Sequence, residues 1–177
     1  KNDARWADYT TPPQGNANYA WILHILSHLK PLDGVAGFLL ANGALNDEDT
    51  LAIRRKLIEN DKVEAIIVLP RELFITTDIS VTLWILNQNK KGGAYHKRLL
   101  RNRTHEILFM DLRTWTENAV KGENKKKVRL SAEQITRAAD IYHTWQSEGT
   151  DGSCYELPEL YRSVGIKEIA ANNWALT

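Results

Sequence analysis

Residues 62–90 read KVEAIIVLPRELFITTDISVTLWILNQNK, two apolar runs joined by a loop that carries Pro70, Phe74 and a polar Thr76-Thr77-Asp78 turn. Val63 to Leu69 is an almost unbroken β-branched and aliphatic run, the pattern of a strand covered on both faces, and Val81 to Leu86 repeats it. Both are expected to be central strands. A connection of about ten residues is too short to hold a crossover helix, so the two strands run antiparallel, as direct partners or one strand apart. An α/β sheet with an antiparallel strand at its end follows.

Upstream, Tyr19, Ile22, Leu23, Ile25, Leu26 and Leu29 recur at helical spacing. Asn16 or Asn18 is available as a cap, Lys30 supplies a cation in the last turn and Pro31 stops the helix, which predicts a helix over 19–30. Gly34 turns the chain into Val35–Ala41, read as another buried strand ended by Asn42-Gly43. Helical periodicity returns from Asp47 to Asn60, with Leu51, Ile53, Leu57 and Ile58 on one side and Arg54, Arg55, Lys56 and Glu59 largely on the other. A helical crossover makes Val35–Ala41 and Val63–Leu69 parallel members of one sheet.

Downstream, the composition shifts. Residues 88–105 hold Lys90, Lys91, Lys97, Arg98, Arg101 and Arg103 around Gly92-Gly93 without an acidic residue. This basic loop bears two readings, contact with nucleic-acid phosphates or a solvated excursion, and Lys121–Arg129 bears the same two. Glu106–Leu112 is a further strand between them. Ser131 with Gln134 resembles a capping box that opens a helix to about Gln146 and buries Ile135, Ala138, Ala139, Tyr142 and Trp145. The remainder reads as loop and short helix rich in aromatics.

A length of 177 residues suits one ordinary core plus a tail, and a net charge of +1 implies no partner by itself. The single cysteine, Cys154, fits a reducing, cytoplasmic setting, and no apolar run approaches the ~20 residues of a membrane span. With Lys1 first and no initiator methionine, the chain is expected to be part of a longer protein.

The residues that chemistry could use are few. His24 and His28 sit four apart on one helix face, a metal pair without a third ligand or an ordinary polar face. Cys154 has no histidine near it in sequence, and no phosphate-binding glycine loop occurs. Phe74 follows the carboxyl end of a parallel strand, where open α/β sheets place ligands, and its alternative reading is a core-edge phenylalanine.

The succession NANYAWILHILSHLKP, GVAGFLLANGAL and IRRKLIENDKVEAIIVLPRELFITTDISVTLWILNQNK closely resembles the later half of the methyltransferase domain in the modification subunit of type I restriction-modification systems. EILFMDLR, DIYHTWQSEG and ELYRSVGIKEIAANNWALT resemble that subunit's carboxyl-terminal region, so the resemblance spans nearly the whole chain. It implies the carboxyl-terminal half of a Rossmann-like class I methyltransferase sheet over 1–112, followed by a helical region for subunit assembly over 113–177. It also implies adenine-N6 methylation of DNA with S-adenosylmethionine, and specificity and restriction subunits as partners.

By the same resemblance, Phe74 occupies the position of the aromatic that stacks on the extruded adenine, because a base taken from the duplex regains part of its lost stacking on an aromatic face. Trp21 matches an aromatic that packs near the cofactor's adenine, its alternative being a helix residue in the core. Asp78 stands where relatives usually have glycine. The family's glycine-rich cofactor loop and its Asn-Pro-Pro-aromatic box are not found; Thr11-Pro12-Pro13-Gln14 lacks both the asparagine and the aromatic. The chain is therefore expected to start after that box, to be inactive and to hold no cofactor alone. The competing expectations are a subunit-interaction module and a noncatalytic nucleic-acid binder that uses the 90–103 and 121–129 loops, with Lys90, Lys91, Lys97, Arg98 and Arg101 as backbone contacts.

Overall fold

The computed structural model describes residues 3–74, 77–116, 120–121 and 126–177, with 120, 121 and 126 described by backbone. Ile75 and Thr76 of the predicted turn, and residues 117–119 and 122–125 around the second basic stretch, lie outside the described residues. One six-stranded sheet organises the rest, in the order β1 (Val35–Ala41), β3 (Val81–Asn87), β2 (Val63–Val68), β6 (Glu106–Asp111), β10 (Tyr161–Gly165), β9 (Glu156–Leu157). β2 pairs with β3 antiparallel and with β6 parallel. The two apolar runs are thus direct antiparallel partners, as one of the two expected arrangements required, and both are interior strands. β1 and β2 run the same way, but β3 stands between them, so the antiparallel strand lies inside the sheet and not at its end as expected.

Four expectations are corrected. β1 is not buried on both faces: it pairs with β3 alone, and its residues alternate between exposed and half-buried, with Val35 and Leu39 outward. Second, the 47–60 helix is a 3-10 turn at Glu48–Thr50 followed by α2 (Leu51–Glu59), and Arg54, placed outward by its charge, is buried. Its Nε donates to the Trp174 carbonyl (2.8 Å) and its Nη1 to the Asp47 carbonyl (2.8 Å), so the guanidinium ties the carboxyl-terminal tail to the start of α2. Third, the basic 88–105 segment is ordered into a hairpin of β4 (Gly93–Tyr95) and β5 (Arg98–Leu100). Fourth, the tail contributes β9 and β10 before α4 (Ile166–Ala171), so the second expected segment adds strands to the sheet of the first.

α1 (Asn18–His28) ends two residues earlier than predicted, with Leu29 already extended; Pro31 steers Lys30 away from helix. The predicted capping box is present: Ser131 Oγ accepts from the Gln134 N–H (3.2 Å) and Gln134 Oε1 from the Ser131 N–H (2.8 Å), opening α3 (Ala132–Gln146). Its buried seam is turned, however. Gln134, Ile141 and Trp145 face inward with Ala138 half-buried, while Ile135 is 58% exposed.

Side chains alternate across β2, so Ile66 joins a cluster with Tyr19, Ile22, Leu57 and Trp84 on one face. Ala65, Ile67 and Leu69 join Met110, Ile141 and Trp145 on the other. At the start of β2 the register against β3 slips between Val63 and Ala65, leaving Glu64 as the extra residue of a bulge. Glu64 meets Arg103 there, Nε to Oε1 at 3.0 Å, with both side chains fully buried and the Gln146 amide donating to the same oxygen at 2.9 Å. Among the described residues no helix is long and apolar enough to cross a membrane.

Candidate functional site

The connection between β2 and β3 leaves the carboxyl end of β2 and returns as a closed loop. The Leu69 N–H donates to the Val81 carbonyl (2.9 Å) and Ser80 Oγ to the Leu69 carbonyl (2.7 Å), which shuts its neck. Near the tip Phe74 and Thr77 form an isolated antiparallel bridge, and the Ile79 N–H donates to Thr77 Oγ1 (3.3 Å). Glu72 takes a left-handed φ of 60°, and its carbonyl accepts from the Val128 N–H (3.1 Å). Lys127, in the short strand β8 (Lys126–Lys127), reaches the same loop: its Nζ donates to the Phe74 carbonyl (2.9 Å) and to Asp78 Oδ1 (3.0 Å). The Phe74 ring is half-buried and packs on the cluster of Ala65, Ile67 and Met110.

On the opposite face of the same sheet end lies a cleft of about 590 Å³, lined by Asn42, Ile66, Val68, Phe109, Asp111, Arg113 and Arg162. Asn42, Val68 and Asp111 mark the carboxyl ends of β1, β2 and β6. Thr82 Oγ1 donates to Asn42 Oδ1 (2.7 Å), which fixes the amide at the end of β1. Arg113 Nε donates to both oxygens of Asp111 (2.9 Å each), and this guanidinium holds the Asp111 carboxyl below the usual carboxylate range.

Trp21 is 60% exposed on α1, its ring set edge-on to His24, which removes the core reading for it. The structure does not bring Trp21 and Phe74 together. α1 buries its apolar side in the cluster of the cleft face, whereas Phe74 packs on the other. His24 and His28 lie with ring centroids 4.5 Å apart and their planes tilted by 53°, and among the described residues no group of three possible metal ligands forms. Cys154 is exposed.

The phosphate-contact reading of the 88–105 loop is corrected for most of its cations. Lys90 is 3% exposed; its Nζ donates to the carbonyls of Val63 (2.8 Å) and Glu106, at the amino ends of β2 and β6, and burial lowers its pKa. Arg98 and Arg101 bond the end of α3, and Arg103 bonds Glu64. The last carbonyls of a helix have no intrahelical donors, and cations are favoured there. Arg98 Nη2 donates to the His143 carbonyl (2.8 Å), Arg101 Nε to that of Trp145 (2.6 Å) and the Arg101 N–H to that of Gln146 (2.9 Å). Lys91 and Lys97 stay exposed.

Two features escaped the sequence reading. The cleft's Asp111–Arg113 pair was findable, because it directly follows the carboxyl end of a parallel strand. Lys127 was one cation among several in a basic run, and nothing local marks it as the one that turns toward Phe74.

Residues 1–177 match the N-6 DNA methylase family. The methylase subunit of the type I restriction enzyme HindI from Haemophilus influenzae is 38% identical over 181 residues, covering 99% of this chain and 36% of that protein. The MjaIX methylase subunit of Methanocaldococcus jannaschii is 34% identical over 167 residues, covering 94% and 27%. The chain therefore spans about a third of the length of these relatives. Among solved structures, the type I methyltransferase subunit from Streptococcus thermophilus superposes with a TM-score of 0.76 at 23% identity, covering 99% of this chain and 32% of that one. The EcoKI M protein gives a TM-score of 0.63 at 17% identity, covering 93% and 37%. At those identities the two structures bear on the fold, and they share it. With all of residues 1–177 inside the match, the chain belongs to the N-6 DNA methylase family.

Proposed function

We propose that these residues form the carboxyl-terminal part of the catalytic unit of a type I DNA methyltransferase subunit, which in the longer protein methylates adenine N6 in DNA. The observation that carries this reading is the family match over the whole of 1–177. In it, Phe74 offers a ring face to an adenine turned out of the duplex, on a loop whose neck is closed by one backbone bond and the Ser80 hydroxyl. Aromatic stacking suits the task because every base has a π-face and the stack makes no demand on flanking sequence.

S-adenosylmethionine would supply an electrophilic methyl group. The residues present fit only one flank of its site: the exposed Trp21 indole would cover the adenine ring, and Asn42 stands at a strand's carboxyl end, without a glycine-rich turn beside it. One aromatic contact contributes about 0.5–1.5 kcal/mol beyond its area burial, against the ~8 kcal/mol of micromolar affinity. Calorimetric titration of the 177-residue chain with the cofactor is therefore expected to give no saturable micromolar heat. The full-length natural protein, with its specificity subunit, is expected to move a labelled methyl group to DNA adenine. Label recovered in cytosine, or none in DNA, would remove the proposal, and saturable heat from the short chain would place a complete cofactor site within it.

Assembly with specificity and restriction subunits is the second half of the proposal. The apolar Ile135 stands outward on α3, and Leu157 is exposed on the edge strand β9. Deleting residues from 131 onward would not test this, since Trp145 belongs to the core and β10 to the sheet. Ile135→Glu is the cleaner test. It is expected to leave the urea midpoint within experimental error while reducing capture of the specificity subunit at least tenfold in a pull-down titration. Undiminished capture would free this face of α3 from any role in assembly.

A further inference from the structure

Among the described residues, the side chain of Lys127 holds the loop that carries Phe74 from outside. Lys127 Nζ bridges the Phe74 carbonyl (2.9 Å) and the Asp78 carboxylate (3.0 Å), and the next residue bonds the Glu72 carbonyl through its N–H (3.1 Å). Two consecutive residues therefore fix the loop at 72, 74 and 78, on both sides of its tip. Arg71 Nε adds a longer contact to the Asp78 carbonyl (3.3 Å).

From this geometry we infer that Lys127 is the positioning residue of the base-stacking loop: by gripping the Phe74 carbonyl and the Asp78 carboxylate, it sets the direction in which the Phe74 ring faces an extruded base. The inference rests on the stacking role proposed for Phe74. A phenylalanine ring follows the Cα–Cβ direction of its own backbone, and that direction is set by the peptide planes on either side. A charged donor on the carbonyl of residue 74 fixes the following plane. The Asp78 side chain is the second anchor for the ammonium. Both partners keep part of their surface in water, 22% for Lys127 and 44% for Asp78, so the bridge contributes more to geometry than to global stability. Misplacing a binding group by about 1 Å costs rate by up to about a hundredfold even when the group itself is intact.

The competing role for a lysine in a basic stretch is a phosphate contact, and the two roles differ in what they move. A phosphate ligand changes DNA affinity and the slope of affinity against salt. A positioning residue lowers kcat and leaves both nearly unchanged.

The test uses Lys127→Met, which keeps the stem and removes the donors, and Lys127→Gln, which is neutral and still donates. In the 177-residue chain, hydrogen–deuterium exchange of peptides spanning 71–80 is expected to speed up at least tenfold for Lys127→Met, with an unchanged melting midpoint. Unaltered exchange would overturn the inference without touching the role of Phe74. In the full-length natural protein, Lys127→Met is expected to lower kcat for methyl transfer about ten- to a hundredfold. It should also reduce the fluorescence gain of 2-aminopurine at the target position, with Lys127→Gln intermediate and the salt slope of DNA binding kept. Wild-type kcat in Lys127→Met beside an impaired Phe74→Ala would overturn the positioning role alone. A reduced salt slope would make Lys127 a phosphate ligand, and a harmless Phe74→Ala would bring down the stacking reading and this inference with it.

Discussion

Phe74→Ala in the full-length natural protein is expected to cut methyl transfer by roughly 5- to 150-fold, the equivalent of losing ~1–3 kcal/mol of base stacking. Its urea midpoint should barely move, because the ring is half-buried at the rim of the second cluster and the loop neck is closed by Leu69, Ser80 and Val81 without its help. Phe74→Trp, which keeps an aromatic face, should retain most of the rate. Steady-state methylation with a fluorescent base analogue at the target adenine reports the loss as a weakened extrusion signal. A variant that instead loses several kcal/mol of stability at normal specific activity would make Phe74 a core residue and leave the base without an aromatic partner in this chain.

The largest stability effect is expected from Arg103→Met. Arg103 and Glu64 are both fully buried, and Arg103 also donates to the carbonyls of Arg101 (2.5 Å) and Asn89 (3.1 Å). Removing the guanidinium strands a carboxylate in the protein interior, where breaking one half of a buried pair costs about 3–5 kcal/mol. Urea unfolding of the 177-residue chain measures it. The double variant Glu64→Met/Arg103→Met should recover a large part, since replacing both partners leaves no uncompensated charge. Were Arg103 a DNA ligand, as its place in a basic run suggests, the single variant would keep its stability and lose affinity for DNA.

What the sequence made legible follows from the range of the interactions involved. β2 and β3 were readable because both runs are apolar on both faces and their connection is short, two local facts that fix burial and direction together. β1 misled for the same reason. Val35 and Leu39 are apolar yet point outward, and composition records a preference for burial without saying whether a cover is present. Strand β10, YRSVG, has little apolar alternation and gains its place by pairing with β6. The partners of the inward-turned cations were out of reach altogether. Arg54 finds its acceptor 120 positions away at Trp174 and Arg101 one 44 positions away at Trp145, and no window of sequence holds both ends. The candidate site divides in the same manner. Phe74 was singled out through family resemblance, whereas the cleft's Asp111–Arg113 pair and the grip of Lys127 on the loop came only with the three-dimensional structure.

The position of β3 between β1 and β2 bears on how the protein is made. On a ribosome the chain emerges in order, so β1 and β2 leave it before the strand that must lie between them does. At about 5–20 residues per second, β1 waits on the order of 2–10 s for β3. During that interval the two flanking strands have matching directions and open edges, and a direct parallel pairing between them would be a trap that has to be undone before β3 can insert. The brief β2–β3 connection is the remedy: closing a short loop is fast, so β3 engages β2 almost as soon as it is synthesised, and the finished hairpin then captures β1.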